Sequence, residues 1–313
     1  CYESRRLKGP QYMKGRIVTD TSDFYSIDCG DVICIGEKKY TVLGYERERR
    51  FGLEDPKFWV KRVVDSITGE RKIIKLSFLE SFGCTLGGIK INCFRNPDKE
   101  GEILKLVKDH PNFMQGKAFE DSKGNNVRIL DVVRGKNFFF HMNAFNLDHK
   151  TYFRTILPDI LKRLVTAFEA IRFLHVNGYK HGDIRNDHII VEGATENYVW
   201  IDFDYDYETS ENPFALDIFG LGNILIYAIG KGFHEIFMIN RDRSTYGDLI
   251  GRLEPDDFSL LDKRRFINLR KLYAYIPKPL NDILLHFSKG ANVYYERVSE
   301  IIKDLNICLY SVF

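Results

Sequence analysis

The stretch "KHGDIRNDHIIVEGATENYVWIDFDYD", Lys180–Asp206, decides how the rest of the chain is interpreted. Its two apolar runs, "HIIV" and "YVWI", are short and separated by turn residues, which predicts a β-hairpin. Asp183 precedes the first strand and Asp202 follows the second, so a hairpin would bring both carboxylates to one end of a small sheet. His181 and His188 lie in the same stretch. Paired carboxylates with histidines indicate a metal site, a proton transfer, or both.

Composition describes an ordinary globular chain of 313 residues, with 44% apolar and 29% charged residues. The net charge of +2 gives no general indication of nucleic acid or of a membrane surface, and we expect neither as a partner. The six cysteines are scattered without a C-x-x-C pair, which is typical of reduced thiols and favours a cytoplasmic protein. The longest apolar run, Ile218–Gly230, is interrupted by glycines and predicts a buried helix, not a membrane span.

The part of the chain before the opening stretch is rich in predicted strands. Residues 1–30 are interpreted as an extension that packs on the first domain or frays, and residues 31–145 as the first domain. A helix is predicted in "NPDKEGEILKLVKDHPNF", and "SFGCTLGG" is interpreted as a flexible loop. Strands are predicted in "DVICIG", "KYTVLGY", "KFWVKRVVD", "RKIIKLSF", "MQGKAFED", "NNVRILDVV" and "NFFFHMNAF".

The second domain, residues 146–313, is mostly helical apart from the hairpin. In "TILPDILKRLVTAFEAIRFLHVNG" the apolar residues recur at steps of three and four, which predicts an amphipathic helix ending at Gly178. Strands followed by helices indicate an α+β fold. Further helices are predicted at Ala215–Ile229, around Phe266–Leu272, at Pro279–Phe287 and at Tyr295–Leu309.

The order of these motifs resembles the protein-kinase fold, in an atypical bacterial Ser/Thr form. "HGDIRNDH" is similar to the catalytic-loop frame H-R-D-x-x-x-x-N, "IDFD" to D-F-G, and "RKIIKL" to V-A-I-K. "KEGEILKLVKDHPNF" resembles the kinase αC helix, and "ALDIFGLGNILIYAI" resembles the helix that begins D-x-W-S-L-G. The resemblance implies a two-lobed α+β fold, with an antiparallel sheet plus one helix in the first lobe and a mainly helical second lobe.

Catalytic and metal-binding roles follow from that resemblance. Asp183 is implied as the residue that accepts or orients the acceptor hydroxyl proton, and Arg185 as a cation that stabilises the migrating phosphoryl group. Asp202 is implied as a ligand of Mg²⁺, and His188 as the second ligand, with Mn²⁺ as the other candidate ion because imidazole is a poor ligand for Mg²⁺. Asp217 is implied as an acceptor of backbone N–H groups that braces the catalytic loop.

Nucleotide-binding roles also follow from the resemblance, with ATP as the implied cofactor. Lys75 would contact the α- and β-phosphates, and Glu100 would hold the Lys75 ammonium. Glu102 competes with Glu100 for that part, and the spacing to "IL" favours Glu100. The hinge that binds the adenine edge is implied by three residues of "NFFFHMNAF", which are Asn143, Ala144 and Phe145.

The sequence departs from the kinase pattern in several places. His188 replaces the usual Asn, and Gly182 replaces the Arg of H-R-D, which argues against control by a phosphorylated activation loop. Asp217 follows Asp202 after only 15 residues, so the segment that docks a peptide is short. Asp204 and Asp206 are interpreted as solvated turn acids. No glycine-rich loop is present, and in its place "GYERERRFGLEDP" supplies three candidate phosphate contacts, Arg47, Arg49 and Arg50.

Several functions remain open at this point. The first is an ATP-dependent Ser/Thr protein kinase, and the second is a small-molecule or saccharide kinase of the same fold, with an unknown hydroxyl acceptor in either case. A third is a nucleotide-binding pseudokinase with a regulatory role. The fourth is a metal-dependent phosphoesterase whose ligands would be His181, Asp183, His188 and Asp202.

Overall fold

The structure is a computed structural model that describes residues 15–50 and 53–312, without the side chains at 49–50 and 53–54. Within that part, the strands are β1 Ile17–Val18, β2 Val32–Ile35, β3 Lys38–Arg50, β4 Leu53–Asp65, β5 Arg71–Lys75, β6 Ser81–Leu86, β7 Ile89–Arg95, β8 Gly116–Glu120, β9 Asn126–Asp131, β10 Gly135–Asn137, β11 Ile189–Glu192, β12 Tyr198–Trp200, β13 Tyr205–Glu208, β14 His234–Glu235 and β15 Arg265–Phe266. The α-helices are α1 Pro97–Leu106, α2 Phe138–Asn143, α3 His149–Thr155, α4 Leu157–Val176, α5 Ala215–Gly230, α6 Ile236–Arg241, α7 Arg243–Tyr246, α8 Lys278–Leu285 and α9 Val298–Val312.

Contacts within the chain divide it into two compact units. The N-terminal unit holds the described residues up to Phe78, with Pro97–Lys108 and Gln115–Val132. The C-terminal unit holds Leu79–Asn96, Asp109–Met114 and the residues from Val133 onward. The chain therefore passes between the units at several positions, whereas the sequence predicts single boundaries after residues 30 and 145.

The N-terminal unit is built on one sheet of seven strands in the order β1-β2-β3-β4-β5-β9-β8. Its neighbours are antiparallel except for β1 and β2. One face of the sheet is apolar because β-branched and aromatic residues alternate along the strands. The buried core on this face includes Ile33, Tyr40, Val42, Val63 and Ile74.

Residues 15–30 pack on that core. Phe24 and Ile27 join the apolar cluster, and the buried ammonium of Lys61 on β4 donates to the Ile27 carbonyl at 2.6 Å. Packing was one of the two outcomes expected for the N-terminal extension, and it is confirmed for this part. Residues 1–14 lie outside the described chain.

Asp121 fastens the same segment to the turn between β8 and β9. Its carboxylate accepts from the Thr21 N–H at 2.6 Å, the Thr21 hydroxyl at 2.7 Å and the Asn125 amide at 2.9 Å. Burial acts to raise the pKa of Asp121, but these hydrogen bonds outweigh it and lower the pKa well below its ordinary value. The carboxylate therefore stabilises the fold above about pH 4, and this contribution is lost as the pH falls further.

We expect Asp121→Ala to lower the free energy of unfolding by about 2–3 kcal/mol at neutral pH, because several hydrogen bonds to a charged group disappear. Urea unfolding at several pH values measures this, and the difference from the wild type should shrink below about pH 4. Asp23→Ala is the matched control, since Asp23 makes no side-chain cap to its short helix, and it should change stability by less than about 0.5 kcal/mol. A pH-independent difference would contradict the role of the Asp121 charge.

The C-terminal unit is built around α4. Leu157, Leu161, Leu164, Phe168 and Ile171 are buried along one stripe, as the three-and-four spacing predicts. Pro158 occupies the first turn, where a backbone N–H group would have no partner within the helix. The helix packs against α5 and α9. No helix among the described residues is both long enough and apolar enough to cross a bilayer.

The predicted hairpin of the opening stretch is β11 and β12. The strands pair antiparallel, with Ile189 opposite Trp200, and β10 adds a third strand. The Trp200 ring is fully buried and donates its N–H to the Ala167 carbonyl of α4 at 2.8 Å. This contact fixes the end of the hairpin that carries Asp202 against the main helix.

Four local predictions were wrong. "SFGCTLGG" is the strand β6, which pairs with β7 in a hairpin, and not a flexible loop. "GYERERR" is not a loop, because β3 continues to Arg50 and pairs with β4. The aromatic run after Asn137 is the helix α2, because the Asn137 side chain caps it by accepting from the Phe140 N–H at 2.9 Å. Phe266–Leu272 is not an α-helix, since it contains the end of β15 and a short 3₁₀ turn, Leu269–Lys271.

Candidate active site

The His188 imidazole lies between the two carboxylates that flank the hairpin. Its Nδ1 is 2.7 Å from the Asp183 carbonyl oxygen and 3.5 Å from the Asp183 Oδ2. Its Nε2 is 3.5 Å from the Asp202 Oδ2. The hairpin therefore brings Asp183 and Asp202 to one side chain, as the sequence predicts.

The chemistry of these donor atoms fits a cation. A carbonyl oxygen only accepts, so the Nδ1 of His188 carries the proton of their hydrogen bond. In the neutral imidazole Nε2 then presents a lone pair 3.5 Å from a carboxylate oxygen of Asp202. Two ligand atoms bound at about 2.1 Å to one Mg²⁺ ion at the right angle of an octahedron are separated by about 3.0 Å. The His188 and Asp202 atoms are 3.5 Å apart, so a small side-chain movement would bring them to the distance of two ligands of one such ion.

Among residues 15–50 and 53–312, no group of three or more His, Cys, Asp or Glu residues has the arrangement of a metal site. An ion held by His188 and Asp202 would need the rest of its ligands from a bound phosphate and from water. Mg²⁺ sites that serve nucleotides are commonly of that kind, with one or two carboxylates and the substrate phosphates. A phosphoesterase site in which His181, Asp183, His188 and Asp202 enclose ions by themselves is not seen.

Asp202 has an unusual backbone conformation. Its φ is +65°, in the left-handed region that residues with a Cβ rarely adopt. Such a conformation costs about 1–3 kcal/mol and persists only where the surroundings enforce it. It turns the chain sharply between β12 and the following Phe203, which is fully buried.

Arg185 is held by Asp187, two residues further along the chain. Its Nε is 3.0 Å from the Asp187 Oδ1, and its NH1 is 3.8 Å from the Asp183 Oδ2. Burial acts to raise the pKa of Asp187, but the hydrogen bond and charge of Arg185 lower it to about 2. Burial raises the pKa of Asp183, against the charge of Arg185. Asp187 therefore fixes the guanidinium beside Asp183.

Asp217 accepts from two backbone N–H groups of the loop that precedes β11, as the sequence predicts. Its fully buried carboxylate accepts from the backbone N–H groups of His181 at 2.7 Å and Gly182 at 2.9 Å. Burial acts to raise the pKa of Asp217, but the hydrogen bond from His175 and the nearby charges keep it below its ordinary value. The His175 Nε2 lies 2.9 Å from the same carboxylate. His175, on α4, was missed because its partner lies 42 residues along the chain.

Steric crowding explains why a glycine, and not the usual arginine, stands at position 182. Gly182 has a φ of +90°, and a Cβ at this position would stand 1.8 Å from the Tyr205 carbonyl oxygen. The first residue of β13 thus occupies the space of any side chain at position 182. An arginine cannot be placed there without moving β13.

We expect Gly182→Ala to lower the free energy of unfolding by at least about 1–3 kcal/mol, because it adds a strained φ to an overlap with the backbone. Thermal unfolding measures the change. Gly83→Ala is the matched control, since a Cβ on Gly83 of β6 meets nothing within 4 Å. A Gly182→Ala protein as stable as the control would show that β13 can move away freely.

Asp204 is not a solvated turn acid, contrary to the expectation from sequence. Its side chain is 1% exposed, and both carboxylate oxygens lie 2.9 Å from the Arg95 NH1. Arg95 ends β7, which pairs with β13. Asp206 is half-buried and lies 3.2 Å from the Lys180 Nζ. The hairpin of β6 and β7 is therefore attached to the segment that follows Asp202.

The predicted ion pair of Lys75 with Glu100 is present in the N-terminal unit. The Lys75 Nζ on β5 lies 2.9 Å from the Glu100 Oε1 on α1, and both side chains are buried. Glu102 is exposed, so Glu100 is the partner. The second oxygen of Glu100 accepts from the Nε of Arg128 on β9 at 3.1 Å. Arg128 was missed, although a charged residue between Val127 and Ile129 in an apolar strand is a usable signal.

The predicted hinge residues do not lie on a strand edge. Asn143 ends α2, and the Ala144 N–H donates to the His141 carbonyl at 3.2 Å. The Phe145 N–H donates to the Met142 carbonyl at 3.3 Å. The backbone amides of Ala144 and Phe145 are thus engaged at the end of a helix, so the prediction of a hinge strand at Asn143, Ala144 and Phe145 is wrong.

Comparisons with known proteins agree with this architecture. No protein-family model matches the sequence, and no curated protein sequence matches it. The fold matches 1846 chains of solved structures. One is the Cydia pomonella granulovirus kinase PK-1, with a TM-score of 0.51 and 14% identity over 85% of this chain and 93% of that chain. The predicted α+β, protein-kinase-like fold is confirmed, and at this identity the likeness concerns the fold alone.

Proposed function

We propose that this protein is an ATP-dependent phosphotransferase. The observation that carries the proposal is the convergence of Asp183 and Asp202 on His188 at the end of the β11–β12 hairpin, in a loop braced by Asp217. A matched kinase-like fold is consistent with it, and the similar granulovirus protein is described as a kinase. Phosphoryl transfer depends on positioning and charge neutralisation, which these side chains can supply.

In this proposal, each candidate site residue of the C-terminal unit has a role in the reaction. Asp183 accepts the proton of the attacking hydroxyl group. Asp202 and His188 hold a divalent ion, Mg²⁺ or Mn²⁺, which when bound supplies positive charge at the phosphate oxygens. Arg185, fixed by Asp187, stabilises negative charge that develops on the transferred group.

The Lys75 cluster suits a polyphosphate. The Glu100 carboxylate pairs with both Lys75 and Arg128, so the Lys75 ammonium is held in a fixed position. Lys75 is the member of the cluster that we assign to the α- and β-phosphates.

We propose a protein Ser/Thr hydroxyl as the first candidate acceptor, because the closing helices α8 and α9 match the expected protein-kinase pattern. A small molecule or saccharide is the second candidate. Its support is the shortness of the chain between β13 and α5, residues 209–214, where kinases dock peptides. The arrangement of Asp183, Arg185 and Asp187 supports catalysis over a pseudokinase, because it places a base and a cation side by side.

Incubation with γ-labelled ATP and Mg²⁺ or Mn²⁺ tests the proposal. Label on the protein itself or on Ser/Thr peptides supports a protein kinase, and label on a panel of sugars and amino alcohols supports a small-molecule kinase. Nucleotide binding without transfer to any acceptor, water included, would indicate a pseudokinase. Equal hydrolysis of p-nitrophenyl phosphate and ATP would indicate a phosphoesterase and overturn the proposal.

A further inference from the structure

A hairpin between β5 and α1 is attached to the segment that follows Asp202. The central strand of a three-stranded sheet is β7, with β6 on one side and β13 on the other. Four residue pairs join β7 to β13, from Arg95 opposite Tyr205 to Asn92 opposite Glu208. The backbone that leaves the candidate metal ligand therefore enters a sheet made by this hairpin.

Side chains strengthen this attachment at its start. The Arg95 NH1 lies 2.9 Å from both Asp204 oxygens, and the two side chains are 3% and 1% exposed. The Asn96 N–H donates to the Asp204 carbonyl at 2.6 Å. The Arg95 guanidinium also lies 4.1 Å from the ring centroid of Tyr205, whose hydroxyl donates to Glu80 at 2.7 Å. Both the backbone and the side chain of Asp204 are thus bound by the residues that end β7.

The left-handed conformation of Asp202 is restrained on both sides. Its φ of +65° lies in a region that only a few per cent of non-glycine residues adopt. On the N-terminal side, the Ile201 N–H donates to the His188 carbonyl at 3.0 Å. On the C-terminal side, Asp204 is held by Arg95 in a buried ion pair.

We propose that Arg95 is a positioning residue, which holds Asp202 in its ligand conformation through Asp204. The inference rests on the proposed function, in which Asp202 is a metal ligand. Arg95 would keep the segment that carries Asp202 ordered without any covalent modification of the chain. It also gives the β6–β7 hairpin a function.

Arg95→Met removes the charge and keeps most of the side-chain length. We expect the protein to bind Mn²⁺ about 10–100-fold more weakly, the usual effect of losing a partner that orients a metal ligand. Mn²⁺ binding is measured by electron paramagnetic resonance on the whole chain, with and without ATP. Hydrogen exchange of the amides of residues 203–208 should become faster in the same variant. If Arg95→Met does not fold, the same measurements are made on Arg95→Lys. This variant keeps the positive charge but lacks the planar guanidinium group that contacts both Asp204 oxygens.

Two further variants separate positioning from stability. The double variant Arg95→Met/Asp204→Asn removes both charges of the buried pair. We therefore expect its melting temperature to return toward the wild-type value, while Mn²⁺ binding stays weaker than in the wild type. A merely structural ion pair would restore both. Lys271→Met is the matched control, because its Nζ lies 2.7 Å from the buried Asp257 in the same unit, and it should leave Mn²⁺ binding unchanged.

The outcomes for this inference and for the proposed function are distinct. Wild-type Mn²⁺ affinity in Arg95→Met, with residues 203–208 still protected, overturns the inference whatever the protein catalyses. Weakened Mn²⁺ binding in a protein whose wild type transfers no phosphate supports the positioning role and removes the proposed function. Weakened binding together with a proportional loss of turnover supports both.

Discussion

Asp183→Asn should reduce phosphoryl transfer about 100- to 10,000-fold, while the KM for ATP changes little. The amide has nearly the same size but cannot take a proton from the acceptor hydroxyl, and a positioned general base contributes about that factor. The remaining contacts of the loop, from Asp217 to the backbone of His181 and Gly182, do not involve the Asp183 carboxylate. Initial rates with γ-labelled ATP over a range of ATP concentrations separate kcat from KM.

Asp159→Asn is the control for this measurement. Asp159 lies on the surface of α4 in an exposed pair with Arg163, and such pairs contribute little to stability. Turnover of the control should match the wild type. More than a tenth of the wild-type turnover in Asp183→Asn would mean that another group takes the proton, and the role of Asp183 would be wrong.

Glu100→Gln should have the largest effect on stability in the N-terminal unit. It removes the carboxylate that pairs with both Lys75 and Arg128, which are two buried cations. Removing one partner of a buried pair costs about 3–5 kcal/mol, so a loss at or above that range is expected. Equilibrium unfolding in urea measures it, and nucleotide binding should weaken because the position of the Lys75 ammonium is no longer fixed.

Glu102→Gln, two residues further along α1, is the natural control. Glu102 is exposed, and its substitution should change stability by no more than about 0.5 kcal/mol. If Glu100→Gln also cost less than about 1 kcal/mol, the shared carboxylate could not be an important anchor of α1. That result would weaken the assignment of Lys75 to phosphate as well.

Local patterns were sufficient for the parts of the fold that depend on neighbours in sequence. The β11–β12 hairpin, the stripe of α4 and the start of α5 all follow from apolar spacing and turn residues within one segment. The Lys75–Glu100 pair was found because the spacing of a strand and a helix follows a known pattern. Each of these features requires only short-range information or a fixed motif order.

The features that were missed depend on distant partners or on a competing local signal. The glycines of "SFGCTLGG" suggested a loop, and nothing nearby shows that β7 would pair with a strand about 110 residues later. The same distance hides Arg95 from Asp204. For α2, the aromatic residues favoured a strand, but the Asn137 cap was a readable signal for a helix and was given too little weight.

The contact between Gly182 and the Tyr205 carbonyl has a consequence for the evolution of this chain. A larger residue at position 182 would displace the Tyr205 carbonyl and with it the start of β13, which pairs with β7. A change at position 182 is therefore expected to persist only together with a change in the path of the chain after Asp202.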